Sequence, residues 1–117
     1  MRLLPDTHIF YWWFYEPVRL SREALKTVME ADEVFVSPAS MWEIAMKARM
    51  GKIKANPREL FDQIATNDFQ ELPVLSAHTL LMADLPKHHS DPFDRLLIAQ
   101  AISEPLHLVT AGAQLRQ

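Results

Sequence analysis

No cysteine occurs in the 117 residues, so disulfides and thiolate metal centres are excluded and a reducing compartment is permitted. Glycine is nearly as scarce. Gly51 and Gly112 are the only two and lie far apart, which rules out the glycine-rich phosphate loops that seat nucleotides and dinucleotides. Neither charge dominates: 12 basic residues against 15 acidic ones give a net charge of −3, which argues against a generally cationic nucleic-acid coat. One local patch exists, Lys47, Arg49, Lys52 and Lys54, and it reads as a solvated helix end whose cations suit the C-terminal dipole. Long apolar runs are missing as well. The longest, Ile9 to Tyr15, is far too short to span a bilayer, and Asp6 and His8 interrupt the place of a signal-peptide apolar region, so a cytoplasmic protein is expected.

What is present is the composition of an ordinary globule, with 49% apolar and 23% charged residues, expected to form a single domain over residues 1–117. Leu3 and Leu4 open a short buried strand ending at Asp6, where Pro5 is awkward because proline belongs on sheet edges or strand ends. A helix follows over Thr7 to Phe14. Its block Trp12 to Tyr15 is too aromatic for one inward face, so part of it is expected to meet a partner surface. Ser21 caps a second helix running to about Ala31, Val34 to Val36 form a second strand, and Ser37-Pro38 begins a helix that stops at Gly51. Asn56-Pro57 starts another helix, with Glu59 placed for a capping box. Phe69 to Leu75 is a third extended segment, marked by Pro73 as an edge. Ser76 caps a short helix, and Leu106 to Thr110 is the last strand. Short apolar strands separated by helices imply a parallel sheet covered on both faces.

The densest chemistry lies in Asp91-Pro92-Phe93-Asp94-Arg95, where two carboxylates and an arginine open the apolar helix Leu96 to Ala101. Acid at a helix start is ordinarily a plain cap. Here other acids fall at topologically equivalent places: Asp6 ends the first strand and Glu43 lies in the first turns after the second. In parallel sheets such positions converge on the carboxyl edge. Carboxylates gathered there need a cation, and oxygen-only ligands suit Mg²⁺ or Mn²⁺, which activates water and clamps phosphate oxygens. The residues thus point to a metal-dependent nuclease.

The series Leu4-Pro5-Asp6-Thr7-His8, Ser37 to Glu43, Asp91-Pro92-Phe93-Asp94-Arg95 through Gln100, and Leu108-Val109-Thr110 resembles PIN-domain ribonucleases of the VapC toxin type. The resemblance implies a PIN-like α/β/α sandwich around a central parallel sheet of about four short strands, a Mg²⁺- or Mn²⁺-dependent endoribonuclease, a homodimer, and a cognate antitoxin that blocks the acidic pocket. It places Asp6, Glu43 and Asp94 as catalytic metal carboxylates, with Asp91 a further metal ligand and Arg95 in the same motif. Three departures accompany it, the first being Pro5 in place of an apolar strand residue immediately before Asp6. Gly112 stands where the family carries a fourth acid, and the chain stops at Gln117, before the usual last strand segment. The rival reading is a catalytically silent homologue that binds antitoxin or RNA, and Gly112 is the feature that separates the two.

Five histidines invite a zinc reading, but adjacent His88 and His89 point apart in extended chain and no helical pair or cysteine supports them. An RNA phosphate contact from His89 is expected instead, beside one from Arg95. Ser40 and Thr110 fall near the acids, where their hydroxyls can orient a metal-bound water.

Overall fold

The computed structural model describes residues 1–86 and 91–111. His88, His89, Gly112 and the remaining C-terminal residues, on which several sequence expectations rest, lie outside the described residues. Four short strands, β1 (Arg2–Pro5), β2 (Glu33–Val36), β3 (Gln70–Glu71) and β4 (His107–Val109), form one sheet in the order β3-β2-β1-β4. Every pairing is parallel. The helices are α1 (Thr7–Tyr15), α2 (Arg22–Met29), α3 (Pro38–Arg49), α4 (Pro57–Thr66), α5 (Ser76–Asp84) and α6 (Pro92–Ser103), with a 3₁₀ turn at Pro17–Arg19.

The period of two along each strand divides the core. Leu3, Val34 and Val109 pack with Ile9, Ala24 and Val28 on one face of the sheet, against α1 and α2. Leu4 and Phe35 pack with Leu97, Ala101 and Leu106 on the other, against α6. Beyond the end of β2, Val36 continues into a cluster of Phe10, Ile44, Leu60 and Ile64 that joins α1, α3 and α4. The sheet is therefore sandwiched between helical layers, as expected of strands that are apolar on both sides.

Local capping sets where most helices begin. Ser21, Ser37, Asn56 and Asp91 each accept a backbone N–H from the following turn through a side-chain oxygen. Proline occupies the first turn after Ser37, Asn56 and Asp91, and Gly51, at φ 75°, takes the left-handed position just past α3. Helix α5 departs from expectation by one residue. Its cap is Leu75 rather than Ser76, and the buried ring of His78 does the work: Nδ1 accepts from the Leu75 N–H at 2.9 Å while Nε2 lies 2.7 Å from Glu104 Oε2.

The aromatic block of α1 is largely covered by its own chain: Trp13 and Phe14 pack on Phe69, Tyr11 stacks on Tyr15, and Trp12 meets His8 and Arg19. All four residues from Trp12 to Tyr15 are half-buried. The most exposed aromatic side chains lie on other helices, Trp42 on α3 and Phe61 on α4. Pro5, for its part, sits in an interior strand without breaking the ladder. Pairing with β2 ends at Leu3 and Val34, one step before Pro5 would have to donate, and on the other side the Asp6 N–H continues the bonding to Val109 O.

Candidate active site

The carboxyl ends of β1 and β2 deliver Asp6 and Ser37 as the caps of α1 and α3. Asp6 is buried and strongly held. Its Oδ1 accepts from the Ile9 N–H and its Oδ2 from the Ala111 N–H, each at 2.9 Å. The second bond ties the first strand to the chain leaving the last. Burial raises the Asp6 pKa above the ordinary carboxylate value, an effect opposed by those two backbone bonds and by the charge of His8, and reinforced by the charge of Glu43.

Glu43 projects from the second turn of α3 and is almost fully buried. Its Oε2 lies 2.8 Å from the Lys47 ammonium one turn further along the helix. Alongside, the Thr7 hydroxyl donates to Ser40 Oγ at 3.1 Å, which joins the starts of α1 and α3 beneath the acids. Asp94 stands in the first turn of α6, half-buried. Its pKa is raised, first by burial and then by the charges of Asp91, Asp6 and Glu43, with His8 opposing. Asp91 is exposed, and its Oδ1 accepts from the Phe93 and Asp94 N–H groups, so it is a helix cap that also adds to the field on Asp94.

Four acids from three separate segments thus share one electrostatic environment. Such a set is unfavourable without a cation. Among the described residues no three acidic or histidine side chains are gathered into a ready-made cage. The donor chemistry nevertheless fits a hard divalent ion, because Mg²⁺ keeps several waters and is commonly held by only one or two carboxylates. Two of the acids, Asp6 and Asp94, have raised proton affinity, first through burial and then through the charges of their acidic neighbours.

Arg95 is committed to backbone. Its Nη2 donates to Met82 O at 2.6 Å and Leu85 O at 3.1 Å, and Nη1 donates to Pro86 O at 3.0 Å. These carbonyls belong to the end of α5 and the loop after it, so the guanidinium straps that end to the first turn of α6. Lys47 was legible in sequence only as part of a basic cluster. The signal that could have found it is the Glu43-to-Lys47 spacing of four, which sets the pair on one helix face in the favourable order.

Residues 3–117 match the PIN domain family. The chain is 34% identical over 116 residues to ribonuclease VapC22 of Mycobacterium tuberculosis, covering 97% of this chain and 89% of that protein. Among solved structures it resembles VapBC2 from Rickettsia felis bound to a DNA fragment from their promoter, with a TM-score of 0.70 at 17% identity over 94% of this chain and 87% of that one. A toxin-antitoxin complex from Klebsiella pneumoniae is also similar, with a TM-score of 0.61 at 18% identity over 91% of this chain and 82% of that one.

Proposed function

The chain belongs to the PIN domain family, and from that premise we propose that it is an endoribonuclease toxin that cleaves RNA phosphodiester bonds with the aid of Mg²⁺ or Mn²⁺. The observation that carries this reading is the placement of Asp6 after β1, Glu43 in α3 and Asp94 in the first turn of α6, with Asp94 within the field of the other two. These three would hold the ion, with Asp91 as an outer member. When bound, a divalent cation supplies a water of lowered pKa and neutralises charge on the phosphate. The protein's own part is to keep its ligands aimed. Two backbone N–H groups fix Asp6, the Thr7–Ser40 contact sets α1 against α3, and Arg95 acts as a positioning residue for the turn that carries Asp94. His89 and the rim of the pocket are left for the RNA phosphates.

The single-chain test is cleavage of a labelled single-stranded RNA with Mn²⁺, abolished by EDTA. Loss of the RNA with EDTA present would point to a contaminating or metal-independent nuclease. An intact RNA in every divalent metal, together with retained binding of an antitoxin, would make the protein the silent homologue that Gly112 suggests.

The partners follow the family. An antitoxin that covers the acidic pocket fits its similarity to toxin-antitoxin complexes. Among the described residues no helix is long and apolar enough to cross a membrane, consistent with a cytoplasmic target. A homodimer is assigned to α3, where Trp42, Met46 and Met50 form an exposed stripe at a spacing of four and Phe93 stands edge-on to Trp42 at 5.1 Å. A two-fold contact would cover that stripe with its own copy. Light scattering at micromolar concentration is expected to give a dimer for the native chain and a monomer for Trp42→Ser. A Trp42→Ser protein that stays dimeric would move the interface elsewhere.

A further inference from the structure

Glu43 and Lys47 form an unequal pair. The Glu43 side chain is 3% exposed and the Lys47 side chain 33%, with 2.8 Å between the carboxylate oxygen and the ammonium. A buried carboxylate needs a counter-charge wherever it is ionised, because desolvation is otherwise uncompensated. Glu43 cannot leave its position in the core of α3. Lys47 can, since a four-carbon stem lets the ammonium swing to water while its methylene groups keep their packing. The same contact accounts for an observation at the site: the acids feel one another's charge, yet no three are gathered into a cage among the described residues. One of them has an oxygen turned to an ammonium from its own helix.

We infer that Lys47 is a resident counterion of the acidic site, occupying Glu43 in the metal-free protein and exchanging for the divalent cation when it binds. This rests on the metal-dependent reading above. The exchange follows from charge and mobility. A doubly charged ion offers Glu43 more than a single ammonium, and it also answers Asp6 and Asp94, which Lys47 does not contact. Lys47 therefore sets the concentration of metal at which the site fills, and the metal-free protein stays folded without an unpaired buried carboxylate.

The sign of the effect distinguishes this role from a supporting one. If Lys47 merely aimed Glu43 at the metal, its loss would weaken metal binding. As a competitor, its loss must tighten it. Calorimetric titration with MnCl₂ of the native protein, Lys47→Met and Lys47→Arg is the test, with thermal unfolding measured in EDTA and in Mn²⁺. Lys47→Met is expected to bind Mn²⁺ about tenfold more tightly, the scale of one charge-assisted contact that the ion no longer has to displace. Lys47→Arg is expected to stay near the native affinity. In EDTA the methionine variant should melt below the native protein, and Mn²⁺ should close most of that gap. Unchanged or weaker Mn²⁺ binding by Lys47→Met, with the native protein binding normally, overturns the counterion role and leaves the metal reading intact. Failure of both native and variant proteins to bind Mn²⁺ overturns both.

Discussion

Changing Asp94 to asparagine is expected to lower RNA cleavage by on the order of 10³-fold, the scale of losing a group that stabilises developing charge. The same change is expected to raise the melting temperature by about 2–4 °C. Both halves come from one fact. Asp94 is half-buried among Asp91, Asp6 and Glu43, and its pKa is raised above the ordinary value of 3.8. Above 3.8 the folded chain therefore binds this proton more readily than the unfolded chain. Stability contributed by the protonated form is present at acid pH and lost as pH rises through the folded value, so at neutral pH the ionised group works against the fold. Asparagine removes that repulsion and keeps the shape. Because Asp94 is partly open to solvent, water screens much of the repulsion, and the thermal gain is set at the low end for that reason. Cleavage of labelled RNA in Mn²⁺ reads the first quantity and differential scanning calorimetry in EDTA the second. A variant that melts lower and still cleaves would remove Asp94 from the site. The native protein should also gain less from acidification than its other carboxylates lose, so the comparison of the two proteins at pH 7 and pH 5 is the cleaner measurement: their difference should shrink toward the lower pH.

Arg95→Ala is expected to cost about 2–4 kcal/mol, the loss of several charge-assisted bonds to carbonyls at a helix C-terminus. For a domain of this size that lowers the melting temperature by roughly 10 °C. Three carbonyls, those of Met82, Leu85 and Pro86, depend on one planar guanidinium. Lysine recovers only part of the loss, since a single ammonium cannot reproduce the spread of the fork. Cleavage should fall mainly in kcat, because the strap positions the turn carrying Asp94 and a displacement of about 1 Å there is enough to harm catalysis. A direct RNA contact makes the opposite prediction: KM rises, and the melting temperature barely moves. Chemical denaturation followed by steady-state kinetics below the variant's transition separates the two.

The parts of this molecule legible in sequence are those that act over a few residues. A Ser, Asn or Asp cap bonds the next turn with its own side chain, so Ser21, Ser37, Asn56 and Asp91 could be placed without knowing the fold. The parallel sheet was legible too, from short strands that are apolar on both sides. Its edge was less so. Of the expected segment Phe69 to Leu75, Gln70 and Glu71 pair with β2 and the Leu72 N–H still bonds Val36 O, after which Pro73 has no N–H to offer. The α5 cap was displaced because a histidine performs a task that the sequence pattern assigns to serine. At the site, strand-end logic singled out Asp6, Glu43 and Asp94, and the fold sets them after β1, in the second turn of α3 and in the first turn of α6. The backbone partners around it, donor and acceptor alike, were not legible. The Ala111 N–H and the carbonyls under Arg95 are backbone groups, identical in every residue, and nothing in the side-chain pattern marks which of them will meet a given carboxylate or guanidinium.

The sheet order β3-β2-β1-β4 has a consequence in time. The strand that bears Asp6 is made first and lies in the interior, while its neighbour β4 and the Ala111 N–H that completes the Asp6 bonding are made last, 105 positions later. Contacts of such separation form late, since a long loop must close before they return any stabilisation. A growing chain on the ribosome therefore holds Asp6 and Glu43 before it has the strand that anchors them, and before it has Asp94 at all. For a member of a ribonuclease family, this ordering puts off assembly of the acidic cluster until translation has passed β4, so an incomplete copy lacks the full set of carboxylates.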